Sequence, residues 1–156
     1  MTRRHTMPVA VHVVLVRDGE VLLLLRANTG YEDGSYSVIA GHVEPGEQII
    51  DAAVREAREE AGIELDADAL RIGGVMHRRA EDERIDYFVT AARWRGDLRN
   101  AEPEKCGELR WCARTALPPN TVAYVRRAIE NGVGGPWFES FGWDACELAP
   151  PTADAR

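Results

Sequence analysis

In the stretch REAREEAGI (Arg55–Ile63), three glutamates crowd together just before a glycine: Glu56, Glu59 and Glu60. Spacings of three and four place them on one helical face, where like charges repel by about 0.2–0.5 kcal/mol per pair. Glu59 and Glu60 also fall in the last turn, where the negative end of the helix dipole disfavours anions. Arg55, four residues before Glu59, relieves part of the strain. Carboxylates on one helical edge form an oxygen-rich site for a hard divalent cation such as Mg²⁺. Bound cations turn the mutual repulsion into attraction, neutralise a polyphosphate and acidify a water for attack on phosphorus. A solvated acidic face is the ordinary alternative for such a charge run.

The positioning elements are legible around these residues. The spacing predicts a helix from about Glu47 to Ala61, stopped by Gly62, with Ile50, Ala53, Val54, Ala57 and Ala61 as its apolar stripe. The acidic stripe lies beside that face, and Asp51 and Arg58 take the solvent side. Carboxylates that flank a buried stripe line a groove. Upstream, Val9–Val16 and Val21–Arg26 read as strands about an Asp18-Gly19 hairpin turn. Ala27–Ser35 reads as an exposed loop, and Tyr36–Gly41 as a short strand entering the Pro-Gly turn of HVEPGE. Downstream, Arg71–Arg79, Arg84–Trp94 and ELRWCA read as strands, and Gly96–Gly107 as a polar loop. LPPNTVAYVRRAIENG carries a second helix. This order predicts a mixed β-sheet packed between helices.

The segment GHVEPGEQIIDAAVREAREEAGI (Gly41–Ile63) resembles the signature of the Nudix hydrolases, matched at Gly41, Glu47, Arg55, Glu56, Glu59, Glu60, Gly62 and Ile63. Ala57 stands where a larger aliphatic is usual. The resemblance implies an α/β fold of Nudix type, an α/β/α sandwich over residues 1–135. Residues 136–156 would form a tail whose aromatic segment packs on the domain or on a partner chain and whose end is disordered. It further implies Mg²⁺, with Mn²⁺ an alternative, carried by Glu56, Glu59, Glu60 and the Ala40 carbonyl, although many members have glycine at that last position. Glu56 matches the position proposed as general base in some members, with Glu102 and Glu104 as alternatives; Glu47 and Arg55 would form an orienting ion pair. Arg26 would contact phosphates. Asn120 resembles the base-reading asparagine of MutT-type enzymes, and it equally suits a helix N-cap.

The implied reaction is cleavage of a pyrophosphate bond in a nucleoside triphosphate, giving nucleoside monophosphate and pyrophosphate. RRAED (Arg78–Asp82) lacks the proline or tyrosine that marks ADP-ribose and dinucleoside-polyphosphate hydrolases, and no recognition domain is evident. Nucleotide sugars, ADP-ribose and a catalytically silent nucleotide sensor remain alternatives. Tyr36 and Tyr31 could stack on a base, as could Trp137 or Phe138 if the tail folds back; core packing is the plainer role for each. His12 and His42 stand isolated.

Composition bounds the partners. The 156 residues fit one domain with a real core. A net charge of −7 argues against a nucleic-acid polymer or an anionic membrane as partner, and leaves a small nucleotide screened by cations. The three cysteines, Cys106, Cys112 and Cys146, lack CxxC spacing and suit reduced thiols, so a cytoplasmic location is expected. The apolar segment PWFESFGW could cover a neighbouring chain, which leaves a homodimer open.

Overall fold

A computed structural model describes residues 2–144. Cys146 and the Ala/Pro-rich end expected to fray lie outside them. The elements run β1 (Val9–Arg17), β2 (Glu20–Arg26), β3 (Tyr36–Ser37), β4 (Ile39–His42), α1 (Ile49–Ala61), β5 (Arg71–Arg79), β6 (Glu83–Ala91), β7 (Cys106–Ala113), α2 (Ala123–Asn131) and β8 (Trp137–Phe141). A short 3₁₀ turn, Ala67–Ala69, joins α1 to β5. The strand path is β3-β2-β1-β6-β5-β8, with β4 paired to β1 and β7 to β2. β1 runs parallel to β6 and β8 parallel to β5; the other pairings are antiparallel, so the sheet is mixed.

Strand alternation splits the interior into two cores. Val11, Val13 and Leu15 of β1 and Leu22 and Leu24 of β2 face Ala53, Ala57 and Ala61 of α1. Val14, Val21 and Leu23 face the opposite way, onto Val125 and Ile129 of α2 with Met76 and Phe88. Helices on both faces of a mixed sheet make the α/β/α sandwich. β1 is the spine, because β4 and β6 both pair along it and bring the site's elements together.

α1 starts two residues later than its periodicity suggests. Gln48 is its N-cap and Glu47 is diverted into an ion pair. Its end is as expected: Gly62 adopts φ 66°, and the N–H groups there cap the Ala57 and Arg58 carbonyls. α2 also starts late, at Ala123 after Val122, so Asn120 does not cap it. The preceding Pro118–Thr121 turn is closed by Thr121, whose Oγ1 donates to the Pro118 carbonyl at 2.7 Å. The aromatic segment after residue 135 joins the sheet as β8, where Trp137 lies against Gly74 so closely that a Cβ there would overlap the indole. Among the described residues no helix is long and apolar enough to cross a membrane.

Candidate active site

The site is assembled where β4 meets α1. Gly41 lies directly beneath the Glu56 carboxylate; a Cβ at residue 41 would overlap it. Glu56 can therefore settle against the sheet and is 8% exposed. One turn on, Glu60 accepts a hydrogen bond from the Ala40 N–H at 2.8 Å. Glu59 stays exposed at the rim.

Arg55 organises these acids. It grips Glu47 with two hydrogen bonds, Nε to Oε2 at 2.8 Å and Nη2 to Oε1 at 2.9 Å. It also donates to the His42 carbonyl at 3.1 Å, to Glu56 Oε1 at 2.7 Å and to Glu59 Oε2 at 3.3 Å. Glu47 in turn accepts the Glu44 N–H at 3.0 Å, which fixes the Pro-Gly turn against the helix. Those contacts hold the Glu47 carboxyl down at about 2, chiefly through Arg55.

Deeper in, the balance reverses. Burial raises the Glu56 carboxyl above its usual range against the pull of Arg55, and Glu59 and Glu102 add repulsion. Burial pushes Glu60 up to about 8, outweighing the Ala40 N–H, with Glu56 and Glu102 again adding to the rise. Crowded carboxyls of this kind are what a divalent cation stabilises.

Glu56, Glu59, Glu60 and Ala40 line one cavity of about 440 Å³, together with Glu102, Lys105 and Arg26. Among the described residues no three acidic, histidine or cysteine side chains converge on a single point. Arg55 draws Glu56 one way and Ala40 draws Glu60 another. The donor set is still hard oxygen, and magnesium needs only one or two carboxylates when waters and substrate phosphates complete its shell. The residues fit such an ion.

The other expected residues divide. Arg26 borders the carboxylate cavity and donates to the Tyr31 carbonyl at 2.7 Å and Thr29 Oγ1 at 3.0 Å. Of the two alternative bases, Glu102 reaches the cavity and Glu104 does not. Tyr36 is buried, its hydroxyl donating to Glu108, and it lines neither this cavity nor its neighbour. Asn120 donates to the Gly34 carbonyl at 2.8 Å and is likewise outside both. Phe138 is exposed on β8, away from both.

The neighbouring cavity, about 430 Å³, shares Arg26 and Ala40 with the first, so the two adjoin. It contains Tyr31, His42, His12, Arg78 and Tyr124. Of these, Arg78 and Tyr124 were given no role by sequence reasoning, nor was His12. The available signal was a histidine inside an otherwise apolar strand, VAVHVVLV.

A NUDIX domain model matches residues 6–131. Human 8-oxo-dGDP phosphatase NUDT18 is 34% identical over 119 residues, 74% of this chain and 35% of that protein. The NAD-capped RNA hydrolase NudC of Stutzerimonas stutzeri is 45% identical over 53 residues, 34% of this chain and 19% of that protein. The chain thus spans about a third or less of the length of these curated relatives. The crystal structure of a MutT NUDIX hydrolase from Burkholderia pseudomallei superposes with TM-score 0.75 at 27% identity, covering 82% of this chain and 99% of that one. A family match over most of the sequence, on a fold whose β4–α1 junction gathers the signature acids, makes this chain a member of the Nudix family.

Proposed function

We propose that the chain hydrolyses a nucleoside triphosphate to nucleoside monophosphate and pyrophosphate, with a divalent cation. The observation that carries this reading is the cavity in which Glu56, Glu59, Glu60 and Glu102 face Arg26 and Lys105, open to a second cavity large enough for a nucleoside. Glu56, Glu59, Glu60 and the Ala40 carbonyl would hold magnesium or manganese, which supplies charge screening and a more acidic water. Arg26 steadies the phosphate chain at the junction of the cavities. Arg55, anchored by Glu47, holds Glu56 in position to accept the proton of the attacking water; Glu102 borders the same space as the alternative base. The water oxygen bonds to phosphorus, the bridging P–O bond breaks, and pyrophosphate leaves with the electron pair.

A second reading, hydrolysis of a nucleoside diphosphate linked to another moiety, as in a nucleotide sugar or ADP-ribose, is favoured by the likeness to an NAD-capped RNA hydrolase. A panel of nucleoside triphosphates, nucleoside diphosphates, nucleotide sugars, ADP-ribose and a NAD-capped oligonucleotide, incubated with Mg²⁺ and resolved by product, separates the readings. Monophosphate plus pyrophosphate from a triphosphate is the expected result. Turnover of linked diphosphates alone would install the second reading, and saturable binding without turnover would identify a sensor.

A further inference from the structure

The sheet ends on β8, and that edge carries no guard. β8 pairs with β5 on one side, and among the described residues no strand lies on the other. Such an edge presents a row of N–H and C=O groups to any strand that can pair with it; proteins blunt it with lysine, with scattered charge or with a cover. β7, which among the described residues pairs only with β2, carries Glu108 and Arg110, both exposed. β8 has no lysine, and its one charged side chain, Glu139, is committed to α2. It accepts Arg127 Nε at 2.8 Å and Asn131 Nδ2 at 2.5 Å.

Where this edge meets solvent it is apolar. Phe138 is 66% exposed, the most of any large hydrophobic residue among those described. The register places Val75 beside it on β5, and Tyr87 beside Val75 on β6. Cross-strand neighbours share a face, so the three form an apolar row on the α1 side of the sheet. α1 packs on β4, β1 and β6, and the row lies outside both cores. Ile72, 43% exposed, extends the same surface along β5.

We propose that β8 is a self-association edge: a second copy of this chain pairs with it antiparallel about a two-fold axis at Phe138, continuing the sheet from one molecule into the next. A two-fold makes the strand its own complement, because the same residues serve on both sides. Phe138 then lies opposite the partner's Phe138, and the rows of both copies join into one apolar ladder. In that register Glu139 faces the partner's Trp137 rather than the partner's Glu139. Arg127 already neutralises it, so no bare like charges meet. On the other face the two α2 helices approach, and Arg127 and Asn131 supply a polar rim. A foreign strand would have to bring its own match for Phe138; a copy brings it by symmetry. The strand is only five residues long, which keeps the contact at the low end of interface sizes and the dimer reversible.

The test is sedimentation equilibrium of the full chain from low micromolar to near-millimolar concentration, beside hydrogen exchange read by mass spectrometry at the same concentrations. Expected is a reversible monomer–dimer equilibrium in the micromolar range. The amides of Trp137–Phe141 that β5 does not engage should exchange about tenfold more slowly at the highest concentration than at the lowest, while those of β7 stay unchanged. Phe138→Lys sets like charges opposite each other across the axis and should weaken the dimer about tenfold or more, whereas Phe138→Leu keeps it. Circular dichroism checks that both variants fold, as an exposed position allows. A protein that stays monomeric to near-millimolar concentration overturns the edge. So does a dimer that Phe138→Lys leaves intact, or one that protects amides elsewhere and not on β8. A monomer whose outward β8 amides are already protected at low concentration overturns it too, since residues of the same chain then cover the strand. If Phe138→Lys does not fold, the concentration dependence of wild-type exchange decides.

Discussion

Glu60, placed at the proposed metal site, sits where the fold's own electrostatics oppose its charge. Its carboxyl is sunk beside Glu56 and Glu102 and holds its proton up to about 8, while the single N–H of Ala40 is its hydrogen-bond donor. Glu60→Gln keeps an oxygen for that N–H but removes the charge a cation needs. Turnover should therefore fall by about 100-fold or more in a Mg²⁺ assay. Stability should move the other way: at pH 8 in chelator the variant is expected to melt above the wild type, because it has no buried ionisation to resist. A lower melting temperature would show that the charge of Glu60 stabilises the fold by itself. The acids at Glu56, Glu59 and Glu60 were legible because a helix turns three- and four-residue spacing into proximity. His12 and Asp86 are 74 positions apart and meet only through parallel pairing, so neither announces the other in the sequence.

At the level of elements, the site depends on how closely α1 approaches β4. Gly41 permits that approach, since any side chain would occupy the space of the Glu56 carboxylate. Gly41→Ala is expected to push Glu56 out of the cavity and reduce kcat by about 100-fold, in the range lost with a general base. Its backbone is not in the left-handed region, so the strand itself should tolerate the change, and circular dichroism should report an intact fold. Undiminished turnover in that variant would mean that Glu56 need not lie against the sheet. The hairpin of β1 and β2, the end of α1 and the strand character of β5 to β7 followed from local signals. The starts of the two helices did not. Arg55 captures Glu47, and the turn at Pro118–Thr121 consumes the residues that otherwise look like a helix entry. These are tertiary and side-chain effects that periodicity does not carry.

Across the whole molecule, β8 was the element least visible in the sequence. Glycines and a proline precede it, and its parallel partner β5 is about sixty residues earlier. Trp137, part-buried against Gly74 and Phe88, makes that strand part of the core; Trp137→Ala should cost about 2–3 kcal/mol in urea unfolding. The charge distribution sets a second global property. Glu47, held near 2 by Arg55, and Asp86, lowered by His12 and Arg78 despite its burial, both have depressed folded-state values. Their stabilisation is present above the ordinary values of 4.5 and 3.8, and that of Glu47 is lost as the pH falls through about 2. Glu60 has the opposite sign. Its contribution is present below 4.5 and is lost as the pH rises toward 8, because the unfolded chain ionises freely while the folded one resists. The net charge of −7 at neutral pH adds self-repulsion that fades near the pI of 5.1. Urea midpoints measured in chelator should therefore peak at about pH 4–5 and decline on both sides. Adding Mg²⁺ should lift the neutral limb and leave the acid limb in place, since only the carboxylate cavity gains a counter-charge. A chelated protein most stable at pH 8, or a Mg²⁺ effect equal at every pH, would mean that the crowded acids of α1 do not govern the fold's response to protons.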